Sequence, residues 1–248
     1  MNSSYKLILF DFFNTLALPD ASNTPMLAIQ GRQVISTAGI LREFLEGVAP
    51  GIKTRDVFRA MEEARRQIQG RWGPDLKEPP GLERFRCVVE ELGLKAPDGR
   101  LAENLLARHM RALVRAYFFP AAHLRMLERL RASYRLGIFS NFDHAPALRR
   151  FLGRVGVRGW FDPVVISGAI GYRKPGRVAF ERALKLAAQP IEEILFVGDS
   201  LAEDVAGAVA AGLDVVWINR TGAPPPQTPR ANHVVADLLG LEQVLERG

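Results

Sequence analysis

The sequence predicts an α/β protein built around a parallel β-sheet, and three observations predict it. Short apolar runs end abruptly in polar residues, strand and helix patterns alternate from about Pro120 to the C-terminus, and the stretch between Leu16 and Pro120 carries only helical texture. A buried parallel strand reads as a continuous apolar run, and strands alternating with helices imply a parallel sheet with right-handed crossovers. Ligands bind such sheets just beyond the carboxyl ends of the strands, so the residues ending each run are the first candidates for function.

Leu7-Ile8-Leu9-Phe10 is the first such run, ending in Asp11 with Thr15 four residues later. An Asp here is either a turn former or a nucleophile at a strand tip. The segment that follows reads as helices over Gly39–Leu45, Thr54–Gln69, Glu83–Leu92 and Leu101–Tyr117, with Thr54 as an N-cap. Pro19–Gly31 and Gly70–Gly81, rich in Pro and Gly, read as loops that could hinge or line an entrance. Three further runs then repeat the opening pattern. Leu136–Phe139 meets Ser140-Asn141, Val164–Ile166 leads to Gly171-Tyr172-Arg173-Lys174-Pro175, and Ile194–Val197 meets Gly198-Asp199-Ser200, with Asp204 five residues beyond Asp199. A small-residue helix over Asp204–Ala211, a strand over Asp214–Ile218, a Pro224–Pro226 loop and a terminal helix over Ala236–Glu246 complete the pattern.

The ordered set Asp11/Thr15, Ser140, Lys174 and Gly198-Asp199-Ser200 with Asp204 resembles the haloacid dehalogenase superfamily of hydrolases over nearly the whole chain. GYRKP followed by VAF, and VGDSLAEDVAGAVAAG, resemble its phosphatase-like branch with a helical cap. The resemblance implies a Rossmann-like, three-layer parallel-sheet core over residues 1–16 and 120–248, with an all-helical cap over 17–119 inserted after the first strand. It also implies that Asp11 attacks phosphorus to give an aspartyl-phosphate that water hydrolyses.

These residue types suit that chemistry on their own terms. A carboxylate nucleophile splits a hard displacement into two easier ones, and the remaining task is to position and neutralise the transferring oxygens. Lys174 offers a compact cation, Ser140 and Thr15 offer hydroxyl donors, and Asn141 stands beside them; together they are expected to grip phosphate oxygens. Mg2+ takes hard oxygen ligands, which Asp11 and Asp199 supply. The family pattern adds the backbone carbonyl of Phe13 as a third protein ligand. Ser200 and Asp204 are expected in outer, orienting roles. The competing reading makes Asp199 and Ser200 helix N-cap residues.

One departure stands out. Phosphatases of the family carry a second Asp two residues after the first, to protonate the leaving group and activate water, and this chain has Phe13. A phenyl ring does neither job. Asp143 or His144, or a residue of the cap, could substitute, or the ester could have a leaving group that needs little help. Family members without that Asp include the dehalogenases, yet those tend to show Ser-Ser-Asn in place of Gly198-Asp199-Ser200 and an aromatic hydroxyl where this chain has Phe180. The leading expectation is a magnesium-dependent phosphatase acting on a small, anionic phosphate ester. The alternatives are a metal-independent 2-haloacid dehalogenase and a catalytically weak phospholigand-binding or regulatory protein.

Composition fits these expectations. The 248 residues are 48% hydrophobic, ample for a buried core, and no apolar segment approaches the length of a membrane span. The chain runs into its first strand without a signal peptide, which predicts a cytoplasmic location. The net charge of +6 comes from scattered arginines rather than a basic run interleaved with aromatics, which argues against nucleic acid as partner and for steering of anionic substrates. The lone cysteine, Cys87, excludes an internal disulfide and reads as a buried helix position. His109, His123, His233, Trp72, Trp160 and Trp217 fall outside the motifs and read as packing or surface residues.

Overall fold

A computed structural model describes residues 5–29, 31–72, 76–95 and 99–247. In chain order the elements are β1 (Leu7–Phe10), β2 (Leu18–Pro19), β3 (Met26–Ile29), β4 (Arg32–Ile35), α1 (Ala38–Leu45), α2 (Thr54–Trp72), α3 (Gly81–Glu91), α4 (Leu101–Arg115), β5 (Tyr117–Phe118) and α5 (Ala121–Leu130). There follow β6 (Arg135–Ser140), α6 (Ala145–Val155), β7 (Phe161–Ile166), α7 (Ser167–Ile170), α8 (Arg177–Ala187), β8 (Ile194–Gly198), a π-helical turn (Leu201–Val205), α9 (Ala206–Ala210), β9 (Asp214–Ile218), β10 (His233–Val235) and α10 (Leu241–Arg247).

Six strands form one sheet in the order β10-β9-β8-β1-β6-β7, every pair parallel. Each strand points alternate residues to opposite faces. Ile8, Phe10, Ile138 and Val197 therefore join one buried cluster with α5, α6 and α10, while Leu7, Leu9, Phe139 and Phe196 join another with α8 and α9. This is the expected three-layer α/β core. The chain leaves β1 to build β6 and β7 on one side and crosses back to build β8, β9 and β10 on the other. The strand order thus reverses at β1, where open α/β sheets leave a crevice for ligands.

The segment between β1 and α5 departs from its expected all-helical character. Its four helices are close to those expected, but β3 and β4 form an antiparallel hairpin inside the stretch read as the Pro19–Gly31 loop and just beyond it. The hairpin is largely exposed, so its strands lack the apolar runs by which buried strands announce themselves. The short pair β2–β5 ties the two ends of the insert together, with Pro19 opposite Tyr117. Thr54 lies inside α2 rather than capping it, and the helix runs on to Trp72; residues 73–75 of the expected 70–81 loop lie outside the described ones. β10 is a further strand the sequence reading missed, its three residues half-buried or exposed. The expected Ala236–Glu246 helix is a 3-10 turn at Leu238–Gly240 leading into α10.

The insert meets the core along Leu76–Arg84. Lys77 bridges Tyr172 in antiparallel fashion, the Glu78 amide donates to Gly171 O (3.0 Å), and the Arg173 amide donates to Leu76 O (2.9 Å). The Ser167 hydroxyl donates to Glu78 (2.7 Å) and Arg84 pairs with Asp143 (2.8 Å). Cys87 is buried in α3 and unpaired. No helix among the described residues is long and apolar enough to cross a membrane.

Candidate active site

Register alone brings the expected site residues together. Phe10 at the end of β1 lies opposite Ile138 on β6 and Val197 on β8, so Asp11, Ser140 and Asp199 leave neighbouring strand ends within a residue or two of one another. The Asp11 amide donates to Val197 O (2.8 Å), extending the ladder by one bond before the chain turns. Carboxylate oxygens of Asp11, Asp199 and Asp204 all lie within 4.8 Å of one another.

Lys174, only 1% exposed, sits among them with all three ammonium donors engaged. They go to Asp11 Oδ1 (2.7 Å), Asp204 Oδ1 (2.6 Å) and the Phe139 carbonyl (2.8 Å). Burial alone would lower the lysine pKa, but the two carboxylates hold it above its ordinary value. Lys174 thus spends its three donors on Asp11, Asp204 and the Phe139 carbonyl, where it was expected to grip a phosphate oxygen. The other oxygen of Asp204 accepts from the Ser200 amide (2.9 Å), so both are occupied and Asp204 serves as a holder of Lys174. Gly198 makes this approach possible: a Cβ there would stand 2.5 Å from the Asp204 carboxyl.

Thr15 is fully buried and donates to Asp199 Oδ1 (3.2 Å), and the Trp217 indole donates to the Asp199 carbonyl (3.0 Å). Thr15 thus orients Asp199 instead of facing a ligand. One lysine cannot neutralise three carboxylates, and the imbalance shows in their titration. Burial pushes Asp11 up to about 7 against the pull of Lys174, and burial with the neighbouring Asp204 raises Asp199 as well. The free oxygens of Asp11 and Asp199 form a hard-oxygen pair short of positive charge, which fits a divalent cation. The carbonyl of Phe13 takes no hydrogen bond in the turn among the described residues: the bonds closing it run from the Asn14 amide to Ala17 O and from the Ala17 amide to Phe12 O. Ser140 adds a complementary feature. Its Oγ is buried and has no hydrogen-bond partner among the described residues, the sort of vacancy an anionic oxygen fills.

Other expected residues take different roles. The Asn141 side chain clamps the backbone of Lys174, accepting from its amide (2.8 Å) and donating to its carbonyl (3.0 Å), and it also donates to Glu203 (3.0 Å). It positions the lysine rather than sharing in the chemistry. Ser200 accepts from the Glu203 amide (3.1 Å) as a helix N-cap, so the capping reading holds for Ser200 and fails for Asp199. Asp143 is held by Arg84 of the insert, and His144 caps α6 through Nδ1 (3.2 Å from the Ala147 amide); both expected substitutes for the missing acid and base are occupied elsewhere. The Phe13 ring is half-buried in an aromatic nest with Phe12 (4.9 Å between centroids), Tyr117 (4.7 Å) and Phe142 (5.0 Å). Phe180 is buried against Phe139, Phe196 and Gly207, so it is a packing residue here.

Sequence reasoning missed Trp217, whose indole steadies the Asp199 backbone, and Tyr117, whose phenol pKa is raised by burial and by the charges of Asp199 and Asp11. The signal for Trp217 was its strand position, since it pairs with Gly198 across β8 and β9. Nothing local marked Tyr117.

A carboxylate at the tip of the central strand, held by a buried lysine beside a cation-poor acidic pair, is an arrangement suited to hydrolysis. The family comparison agrees. A family model for haloacid dehalogenase-like hydrolases matches residues 5–212, and the chain belongs to that family. Similar proteins include the pyrimidine 5'-nucleotidase YjjG of Escherichia coli (strain K12), 34% identical over 48% of this chain and 53% of that protein. The N-acylneuraminate-9-phosphatase of Mus musculus is 28% identical over 71% of this chain and 66% of its own length. The chain thus spans between about half and two thirds of these relatives. In fold it is similar to the 2-haloacid dehalogenase of Pseudomonas syringae pv. tomato DC3000, with a TM-score of 0.76 at 22% identity over 98% of this chain and 99% of that one.

Proposed function

We propose that this hydrolase is a magnesium-dependent phosphatase acting on a small phosphate ester. The observation that carries the reading is the charge imbalance at Asp11 and Asp199: Lys174 is spent on Asp11 and Asp204, and among the described residues Asp199 has the Thr15 hydroxyl as its side-chain hydrogen-bond partner. Halide displacement from carbon needs no cation there. Asp11, Asp199 and the Phe13 carbonyl would hold Mg2+, which supplies neutralisation of the phosphoryl oxygens when bound. The relatives named as a 5'-nucleotidase and a phosphatase support the same choice.

A carboxylate oxygen of Asp11 attacks phosphorus, the bond to the ester oxygen breaks, and the leaving group departs with the electron pair. Water then attacks the phosphorus of the aspartyl-phosphate, releasing phosphate and restoring Asp11. Lys174 favours the ionised form of Asp11 and aims it, Asn141 and Asp204 hold Lys174, and the Ser140 hydroxyl donates to a phosphoryl oxygen. Phe13 favours a second reading, the metal-independent 2-haloacid dehalogenase, because halide leaves without an acid.

A screen of metal-free protein against phosphate esters and 2-haloacids, with and without magnesium, separates the two. Phosphate release that needs magnesium and is abolished in both Asp11→Asn and Asp199→Ala is expected. Halide release in the presence of a chelator would overturn the phosphatase reading. Saturable phosphate binding without any turnover would favour a non-catalytic phospholigand protein.

A further inference from the structure

A second cluster of polar groups lies away from Asp11, inside the insert. Arg84 on α3, His109 on α4 and Thr37 just before α1 meet there, lining a cavity of about 170 Å3 whose remaining wall is mostly apolar and includes Phe58, Met61 and Val88. Thr37 and His109 are 1% and 7% exposed. His109 Nδ1 lies 2.7 Å from the Thr37 hydroxyl, and Nε2 lies 3.4 Å from an Arg84 terminal nitrogen. A guanidinium only donates, so Nε2 accepts and Nδ1 carries the ring proton. Burial and the nearby Arg84 push the His109 pKa down to about 3, consistent with a neutral ring.

That assignment leaves two donors unused. The Thr37 oxygen receives the His109 proton, and its own hydrogen finds no acceptor among the described residues. Arg84 Nε is buried and likewise has none, although a terminal nitrogen of the same guanidinium pairs with Asp143 (2.8 Å). Two unsatisfied donors beside a cavity are costly unless something accepts from them. The guanidinium fork can serve a second carboxylate through Nε while keeping Asp143 on its terminal nitrogen. Glu62, the acid on the lining, is paired with Arg65 (2.9 Å). For scale, an apolar cavity of about 150 Å3 accommodates benzene.

We propose that the insert carries a ligand site of its own, in which Arg84 Nε and the Thr37 hydroxyl bind the carboxylate of a small monocarboxylic acid and the cavity walls of Phe58, Met61 and Val88 take its apolar body. The site shares no residue with the cluster at Asp11. Through Arg84 it bears on Asp143, two residues beyond Asn141, so occupancy acts on the contact between the insert and the loop that clamps Lys174.

4-Fluorobenzoate, followed by 19F NMR with the full-length protein, is the probe. Saturable binding is expected, weakened about tenfold or more by Thr37→Val and by Arg84→Gln, each of which removes a donor. Binding should persist in Asp11→Asn and in the presence of inorganic phosphate. A 13C-methyl spectrum of wild-type protein guards against variants that fail to fold: the Met61 methyl resonance should shift as the probe saturates. Absence of saturable binding, an unmoved Met61 methyl, affinity indifferent to both substitutions, or displacement by phosphate would each overturn the proposal, the last by placing the probe at the catalytic carboxylates.

Discussion

Phe13→Asp puts a carboxylate where related phosphatases keep their acid and base, and the structure sets both its cost and its gain. The ring makes three aromatic contacts, with Phe12, Tyr117 and Phe142, at centroid distances of 4.7 to 5.0 Å. Aromatic pairs contribute about 0.5–1.5 kcal/mol each, so their loss should cost on the order of 2–4 kcal/mol of stability. A further carboxylate beside Asp11 and Asp199 adds repulsion that magnesium should relieve, so the thermal stabilisation of the variant by magnesium should exceed that of wild type. The catalytic gain follows from the missing proton transfer, which typically contributes about 10²–10⁴-fold. Wild type should hydrolyse alkyl phosphates slowly, while an aryl phosphate, whose leaving group needs little protonation, should give a burst as aspartyl-phosphate accumulates. Phe13→Asp should raise alkyl phosphate turnover and remove the burst. The assay is rapid-mix kinetics of both proteins with one aryl and one alkyl phosphate. Fast wild-type hydrolysis of both without a burst would refute the reasoning, because another group would already be serving as acid and base.

Ser140→Ala removes a buried hydroxyl that has no hydrogen-bond partner among the described residues, so urea unfolding should move by less than about 0.5 kcal/mol while affinity for inorganic phosphate falls about tenfold; a destabilisation above about 1 kcal/mol would mean the hydroxyl is bonded in the folded protein. Lys174→Met leaves Asp11 and Asp204 unpaired in the interior and should cost about 3–5 kcal/mol in the same measurement, against a loss near zero if the three groups do not share charge. His109 has its pKa held down by burial and by Arg84, so the unfolded chain binds the extra proton first and His109 destabilises the fold as pH drops from about 6.5 toward 3. Between pH 7 and pH 5 wild type should lose about 2 kcal/mol more than His109→Asn, and identical pH slopes for the two proteins would show that the ring is already charged or solvated.

The core and the acidic cluster at the strand ends were legible in the sequence because they depend on local rules. Buried parallel strands must be continuous apolar runs, and a residue meant to act on a ligand must come where such a run ends, so Asp11, Ser140 and Asp199 could be placed before any contact was known. Their division of labour could not. Whether Lys174 faces a ligand or is consumed by Asp11 and Asp204, and whether Asn141 acts or merely clamps, depends on which atoms meet across segments thirty or more residues apart, a matter of packing rather than pattern. The exposed hairpin β3–β4 escaped notice for a related reason: a strand pair that buries little carries no hydrophobic period to read. The occupied states of Asp143 and His144 and the donor pair of Arg84 and Thr37 were likewise decided in three dimensions. Hydrogen-bond satisfaction is a sum over neighbours, and only the tertiary structure brings those neighbours together.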